Sequence, residues 1–170
     1  MFAGMPSTLN WQTQISPAGE KGDPLVITGT IFKSDGKIPA PGVILYLYHT
    51  DAKGEYSPSP GQQDAKRHGH LRGWMKTDAQ GRYKFTTIRP ASYPEGRNPQ
   101  HIHPLVYESD KGYYWIDEYL FEDDPFLTEK ERSSQQGRGG VGIMKLTKNA
   151  AGTWTGSRDI VLGKNVPGYK

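Results

Sequence analysis

Leu71-Arg72-Gly73-Trp74-Met75-Lys76-Thr77-Asp78-Ala79-Gln80-Gly81-Arg82-Tyr83-Lys84-Phe85-Thr86-Thr87 is the stretch whose reading decides the fold class. Two β-rich runs flank Asp78-Ala79-Gln80-Gly81. The aspartate side chain caps a type I turn, and the glycine three residues later accepts the left-handed position. Tyr83 and Phe85, two residues apart, share a strand face and are expected in the core. The pair of runs reads as a hairpin. The same turn is written earlier as Thr50-Asp51-Ala52-Lys53-Gly54-Glu55-Tyr56, almost a copy of Thr77-Asp78-Ala79-Gln80-Gly81-Arg82-Tyr83. Tyr56 then runs into Ser57-Pro58-Ser59-Pro60-Gly61, which cannot continue a ladder. Two similar turns therefore send their tyrosines to different places.

Working outward, residues 25–32 are rich in β-branched side chains, and residues 42–49 form a near-continuous apolar run suited to a central strand. Further strands are expected over 101–108, 114–121, 141–147 and 153–162. Asp124 and Pro125 open the one good helix pattern, with Asp124 as N-cap and basic residues near its end. The fold class is all-β: a β-sandwich of about eight short strands with one short helix near 124–132. Residues 1–23 read as an N-terminal arm that packs on the body or frays. Residues 24–163 read as a single β-sandwich catalytic domain, and residues 164–170 as a C-terminal tail.

Composition agrees. The chain has 170 residues with 21 glycines and 13 prolines, a turn-rich balance. A formal charge of +3, with Lys and Arg scattered, argues against nucleic acid as a partner. Having no cysteine, the chain has neither disulfides nor thiolate metal sites. No apolar run approaches a spanning helix of roughly 20 residues, so no membrane partner is expected. Met1-Phe2-Ala3-Gly4 is too short and uncharged for a secretory signal. Both a cytoplasmic location and export with the signal absent from this chain fit that, and oligomeric state is not legible.

The chemistry-bearing run is Pro99-Gln100-His101-Ile102-His103-Pro104. In a strand, positions i and i+2 share a face, so His101 and His103 stand side by side. Imidazole is a versatile ligand for first-row metals. The bland alternative is two partly exposed strand histidines. His68-Gly69-His70 has the same spacing but reads as a solvated loop pair bordering a pocket. A tyrosine proton leaves near pH 10, so phenol is a poor ligand for divalent ions; a trivalent ion stabilises the phenolate. Two phenolates bring +3 down to +1, and a hydroxide makes the site neutral. A set of two tyrosines and two histidines therefore suggests Fe(III) rather than zinc. Ten tyrosines are present, and the residues alone do not select two.

A resemblance does select them. Residues 71–78 and 81–90, then Tyr93-Pro94 and His101-Ile102-His103, resemble the signature of the intradiol ring-cleavage dioxygenases, the family of catechol 1,2-dioxygenase and protocatechuate 3,4-dioxygenase. The likeness runs from about Pro41 to Asp124-Pro125, with a weaker echo at Asp159-Ile160-Val161-Leu162. It implies a β-sandwich around Fe(III), with Tyr56, Tyr93, His101 and His103 as metal ligands. It also implies a catechol-type substrate opened by O2 to a muconate-type diacid, with Tyr93 leaving the metal to accept a proton. One departure stands out. The family's arginine three residues before the first histidine is here Asn98, with Arg97 one place earlier. Arg97 is the candidate for stabilising charge that develops on the ring.

Two rivals remain. A non-catalytic transthyretin-like or carboxypeptidase regulatory-like β-sandwich module explains residues 25–88 but not His101-Ile102-His103 after Tyr93-Pro94. A nucleotide site at Gly137-Arg138-Gly139-Gly140-Val141-Gly142 lacks the strand before it and the helix after it, and reads as a flexible loop. The acidic group Asp117, Glu118, Glu122, Asp123 and Asp124 lacks Ca²⁺-loop spacing and reads as a solvated strand end and helix cap.

Overall fold

A computed structural model describes residues 2–59 and 68–170. In chain order the elements are β1 (Gln12–Gln14), β2 (Pro24–Phe32), β3 (Ile44–His49), β4 (Arg72–Lys76), β5 (Arg82–Ile88), β6 (His101–Glu108), β7 (Gly112–Trp115), β8 (Tyr119–Phe121), α1 (Glu129–Ser133), β9 (Ile143–Met144), β10 (Thr147–Lys148), β11 (Trp154–Ser157) and β12 (Ile160–Val161). They form a β-sandwich. One sheet runs β1-β5-β2-β11-β10, with β12 beside β2; the other runs β4-β3-β6-β8-β9, with β7 beside β6.

The hairpin expected from residues 71–87 is instead an arch. β4 pairs with β3, whereas β5 pairs with β2 and β1 in the opposite sheet. The turn has the predicted chemistry: Asp78 Oδ1 accepts from the Gln80 and Arg82 amides at 3.0 and 2.9 Å, and Gly81 has φ +69°. Its direction differs because Gly81 is bound to β2, its carbonyl accepting from the Ile31 amide at 2.8 Å. A Cβ on Gly81 would also collide with the Ile31 carbonyl oxygen. Alternation of apolar residues is the same in a hairpin and an arch, since both strands need one inward face. The N-terminal arm seals the open edge. The Asn10 carbonyl accepts from Lys76 in β4 and the Trp11 carbonyl accepts from Lys84 in β5, each at 2.9 Å, before β1 joins β5 in parallel. The arm is packed along residues 10–15, with Ile15 in the core.

Between the sheets lie Leu25, Ile27, Ile31, Tyr83 and Phe85 from one side and Leu45, Leu47, Met75, Ile102 and Val106 from the other. Each such side chain contributes about 1.5–3 kcal/mol on burial. Tyr83 keeps its hydroxyl satisfied, donating to the Arg158 carbonyl at 2.6 Å. A second cluster, Tyr46, Tyr48, Trp74 and Leu105, covers the outer face of the β3–β6 sheet, with Met5, Leu9 and Tyr56 packed against it.

The remaining corrections concern the later strands and the helix. The runs expected at 114–121, 141–147 and 153–162 each break in two. The single helix is shorter than its sequence pattern: Thr128 is its N-cap, accepting from the Glu131 amide at 3.3 Å. Asp124 caps no helix, because its carboxylate accepts from the Gln100 amide at 2.5 Å and the Phe126 amide at 2.9 Å. At the far end, Tyr169 of the C-terminal tail donates to Glu108 at 3.0 Å.

Candidate metal centre

β6 is paired on both sides. β3 runs along residues 102–107, while the opposite edge is shared by β8 at residues 101–102 and β7 at residues 105–108. Pro104 sits in the gap between β7 and β8. It has no N–H to offer a second neighbour, so the ladder breaks there. Ile102 is fully buried in the core, which places His101 and His103 on the outer face beside Tyr48. The site therefore lies against one sheet's outer surface, not between the two sheets.

The two tyrosines arrive on loops stitched to each other. Asp51 Oδ1 accepts from the Lys53 and Glu55 amides at 2.8 and 3.1 Å, the same turn as at Asp78, and its Oδ2 accepts from the Ser57 hydroxyl at 2.7 Å. Thr50 donates its hydroxyl to the Ala91 carbonyl at 2.7 Å, and the Ala91 amide donates to the Asp51 carbonyl at 3.2 Å. Asn98 Oδ1 then accepts from the Tyr93 amide at 3.1 Å.

The four side chains close into a ring. Tyr56 Oη lies 2.9 Å from Tyr93 Oη, Tyr93 Oη 3.1 Å from His101 Nε2, His101 Nε2 3.0 Å from His103 Nε2, and His103 Nε2 3.0 Å from Tyr56 Oη. A square with such edges has its centre about 2.1 Å from each corner, close to the first-row metal–nitrogen distance of about 2.0–2.1 Å. Two neutral Nε2 atoms facing each other at hydrogen-bond distance need either a shared proton or a cation between them. The donor set thus fits a metal that tolerates phenolate. Among the described residues no group of three or more His, Asp or Glu side chains forms a rival site.

Partners outside the ring fix its orientation. His101 Nδ1–H donates to the Pro99 carbonyl at 2.7 Å, leaving Nε2 with its lone pair toward the ring. His103 Nδ1 lies 3.6 Å from Glu118 Oε1, longer than an ordinary hydrogen bond. His103 holds the Glu118 carboxyl down at about 2, outweighing partial burial. Burial, reinforced by His103, lowers the pKa of His101. Burial and the Tyr93 hydroxyl raise the Tyr56 pKa, so its phenolate needs a cation nearby. The Tyr48 ring stacks on His103 with centroids 4.7 Å apart. His49, also buried here, has no ring nitrogen free for a metal: Nδ1–H donates to the Thr50 carbonyl and Nε2 accepts from the Thr87 hydroxyl, both at 2.7 Å.

Arg97 is exposed on the loop after Tyr93 and makes no hydrogen bond or ion pair with a described residue. Asn98, not Arg97, reaches the site, its Nδ2 lying 3.4 Å from His101 Nδ1. His68 and His70 are tied rather than solvated: His68 stacks on Tyr48 at 3.8 Å, and His70 bridges Ser57 and Glu20. Sequence reading missed Glu118. It sits among five acidic residues taken as solvated, but Asp117 and Asp124 are buried acceptors and Glu118 faces His103. The break at Pro104 is the signal that could have found it, since the chain between β7 and β8 must leave the ladder there. The glycine run 137–142 is pinned, with the Gly137 amide and Arg138 Nε donating to Asp117 at 2.6 and 2.9 Å. Residues 60–67, in the loop after Tyr56, lie outside the described residues.

The sequence profile of the family described as Dioxygenase matches residues 5–153. This chain belongs to the intradiol ring-cleavage dioxygenases. It is 34% identical over 132 residues to catechol 1,2-dioxygenase 1 of Acinetobacter lwoffii, covering 66% of this chain and 40% of that protein. It is 32% identical over 118 residues to the protocatechuate 3,4-dioxygenase beta chain of Burkholderia cepacia, covering 65% and 48%. The chain thus spans less than half the length of these two relatives. In three dimensions it resembles the dioxygenase domain of a dioxygenase carbohydrate-binding fusion from Streptomyces sp. SirexAA-E (TM-score 0.68, 22% identity, covering 93% of this chain and 91% of that one). It also resembles 3-chlorocatechol 1,2-dioxygenase from Rhodococcus opacus 1CP (TM-score 0.70, 24% identity, 93% and 66%). These structural likenesses establish the fold.

Proposed function

We propose that this chain is a non-haem Fe(III) intradiol dioxygenase that opens a catechol-type ring with O2 to a muconate-type diacid. The observation that carries the reading is the closed ring of two phenol oxygens and two imidazole nitrogens with edges of 2.9–3.1 Å. The rival binding-module reading gives that ring no task. Zinc would leave two phenols to be deprotonated by a divalent charge alone; a ferric ion does it readily.

Tyr56, Tyr93, His101 and His103 would hold the ion. Bound there, ferric iron supplies a Lewis-acid centre at which a catechol dianion is held and made reactive toward O2. The chain's own residues do the rest. A catechol would shed two protons to bind through both oxygens: one would pass to solvent, and Tyr93 Oη would take the other on giving up its position. Its neighbour in the ring, Tyr56 Oη at 2.9 Å, then has a phenol to hydrogen-bond to instead of a fellow ligand. His101 keeps its tautomer through Pro99 and His103 its orientation beside Glu118, so three donors stay fixed while one moves. The Tyr48 face packs on the His103 imidazole and excludes water from that side.

The test is direct. Iron-loaded protein is expected to be burgundy from phenolate-to-iron charge transfer and to consume O2 on addition of catechol. A colourless protein with stoichiometric iron contradicts the ligand assignment. A coloured protein that consumes no O2 with any catechol contradicts the activity but not the metal site.

A further inference from the structure

Beside the donor ring is a cavity of about 200 Å³, walled by His101, Asn98, Glu118, Leu120, Glu131 and Gln135. Its charge runs against that of the chain. The whole protein is +3, yet no lysine or arginine among the described residues lines this cavity, and two carboxylates do. Arg97, one residue before Asn98, is exposed and outside the lining, and three other basic side chains are committed elsewhere. Arg89 pairs with Asp123 at 2.8 Å and reaches Gln100, Arg132 donates to the Glu122 carbonyl, and Arg138 pairs with Asp117. Glu131 has no ion-pair partner among the described residues. A separate observation points the same way. Gln135 donates its Nε2 to the Glu131 carbonyl at 3.1 Å, but its Oε1 is shut off from solvent with no hydrogen-bond partner. A shielded acceptor is unfavourable until a donor reaches it. The cavity therefore offers negative charge and no positive charge among its described lining residues.

We propose that this cavity receives the ring substituent of the catechol and selects an ammonium-bearing ring over an uncharged one, and an uncharged ring over a carboxylate-bearing one. The inference rests on the iron–catechol reading above. An ammonium supplies donors to Glu118 and Glu131, whereas a carboxylate adds a third negative charge and no donor.

The experiment titrates iron-loaded protein without O2, following the phenolate-to-iron band with 4-(2-aminoethyl)catechol, 4-methylcatechol and 3,4-dihydroxybenzoate. Dissociation constants are expected to rise in that order, with about tenfold or more between the first and last. Glu131 is on α1 outside the donor ring, so its variants test the wall and spare the metal. Glu131→Gln is expected to narrow the ratio about threefold, and Glu131→Lys to bring the last ligand level with the first or ahead of it. Equal affinities, tighter binding of 3,4-dihydroxybenzoate by the unaltered protein, or a ratio unmoved by Glu131→Lys would overturn the inference while leaving the iron–catechol reading intact. If none of the three ligands perturbs the band, the iron–catechol reading itself fails and the inference falls with it.

Discussion

Gly54 packs directly beneath Ser92, so closely that a Cβ on the glycine would overlap the serine carbonyl. That approach is where the loop carrying Tyr56 meets the loop carrying Tyr93. Gly54 also holds φ at +82°, a left-handed value that costs a side-chain-bearing residue about 1–3 kcal/mol. Gly54→Ala is therefore expected to part the two phenols: at least about 2 kcal/mol of stability lost in urea unfolding, with iron content and visible colour lost together. Gly81→Ala, the matching change in the sister turn, should destabilise similarly but leave any folded fraction coloured, because Tyr83 serves the core.

Removing one phenol at a time separates their tasks. Tyr93→Phe is expected to retain iron and bind catechol but to lose about 10²–10⁴-fold in turnover, the usual worth of a positioned proton acceptor. Tyr56→Phe is expected to weaken iron retention itself. Iron content per chain and single-turnover rates check both, and unchanged turnover in Tyr93→Phe removes its proton-accepting role.

Glu118 faces His103 Nδ1, on the side of the imidazole away from the donor ring. Glu118→Ala is expected to lower iron affinity about 10–100-fold in competition with a chelator. Glu118→Gln should recover part of the loss, since an amide oxygen keeps partial negative charge beside Nδ1. Equal losses in the two variants would make the effect one of packing alone.

The arm brings a pH dependence. His70 lies 2.7 Å from both Glu20 and the Ser57 carbonyl. Burial alone would lower its pKa, but these two partners outweigh burial and the net shift is upward. A raised folded value means stabilisation fully present below the unfolded pKa of about 6.5 and lost as pH climbs through the folded value. Glu20→Gln is expected to cost at most about 1 kcal/mol near pH 6 and nothing measurable at pH 9, read from urea midpoints. A constant difference across that range would sink the account.

How much of this was legible follows from what each signal encodes. Alternation and turn chemistry are local, so β2, β5 and β6 stand close to where the residues put them, and the Asp51 and Asp78 turns share one hydrogen-bond pattern. Pairing partners are not local: the arch between β4 and β5 depends on Gly81 gripping β2, which no period reveals. Helix onset failed at Asp124 for a related reason. A residue 24 positions away, Gln100, claims its carboxylate. Around the site, the His-x-His spacing is a pleat and can be read directly, whereas the tyrosines needed a family resemblance to choose among ten. Glu118 was hidden because its importance comes from a missing N–H on a different strand, at Pro104.

Ile102, buried in the core and between His101 and His103 along the chain, makes β6 a ruler. Slipping that strand by one residue would swing both histidines into oil and turn an isoleucine to the surface, so hydrophobic packing itself forbids the error. Chemistry and folding are checked by the same measurement. The bordering loops carry no such constraint, and they are where new preferences can be written without disturbing the gauge.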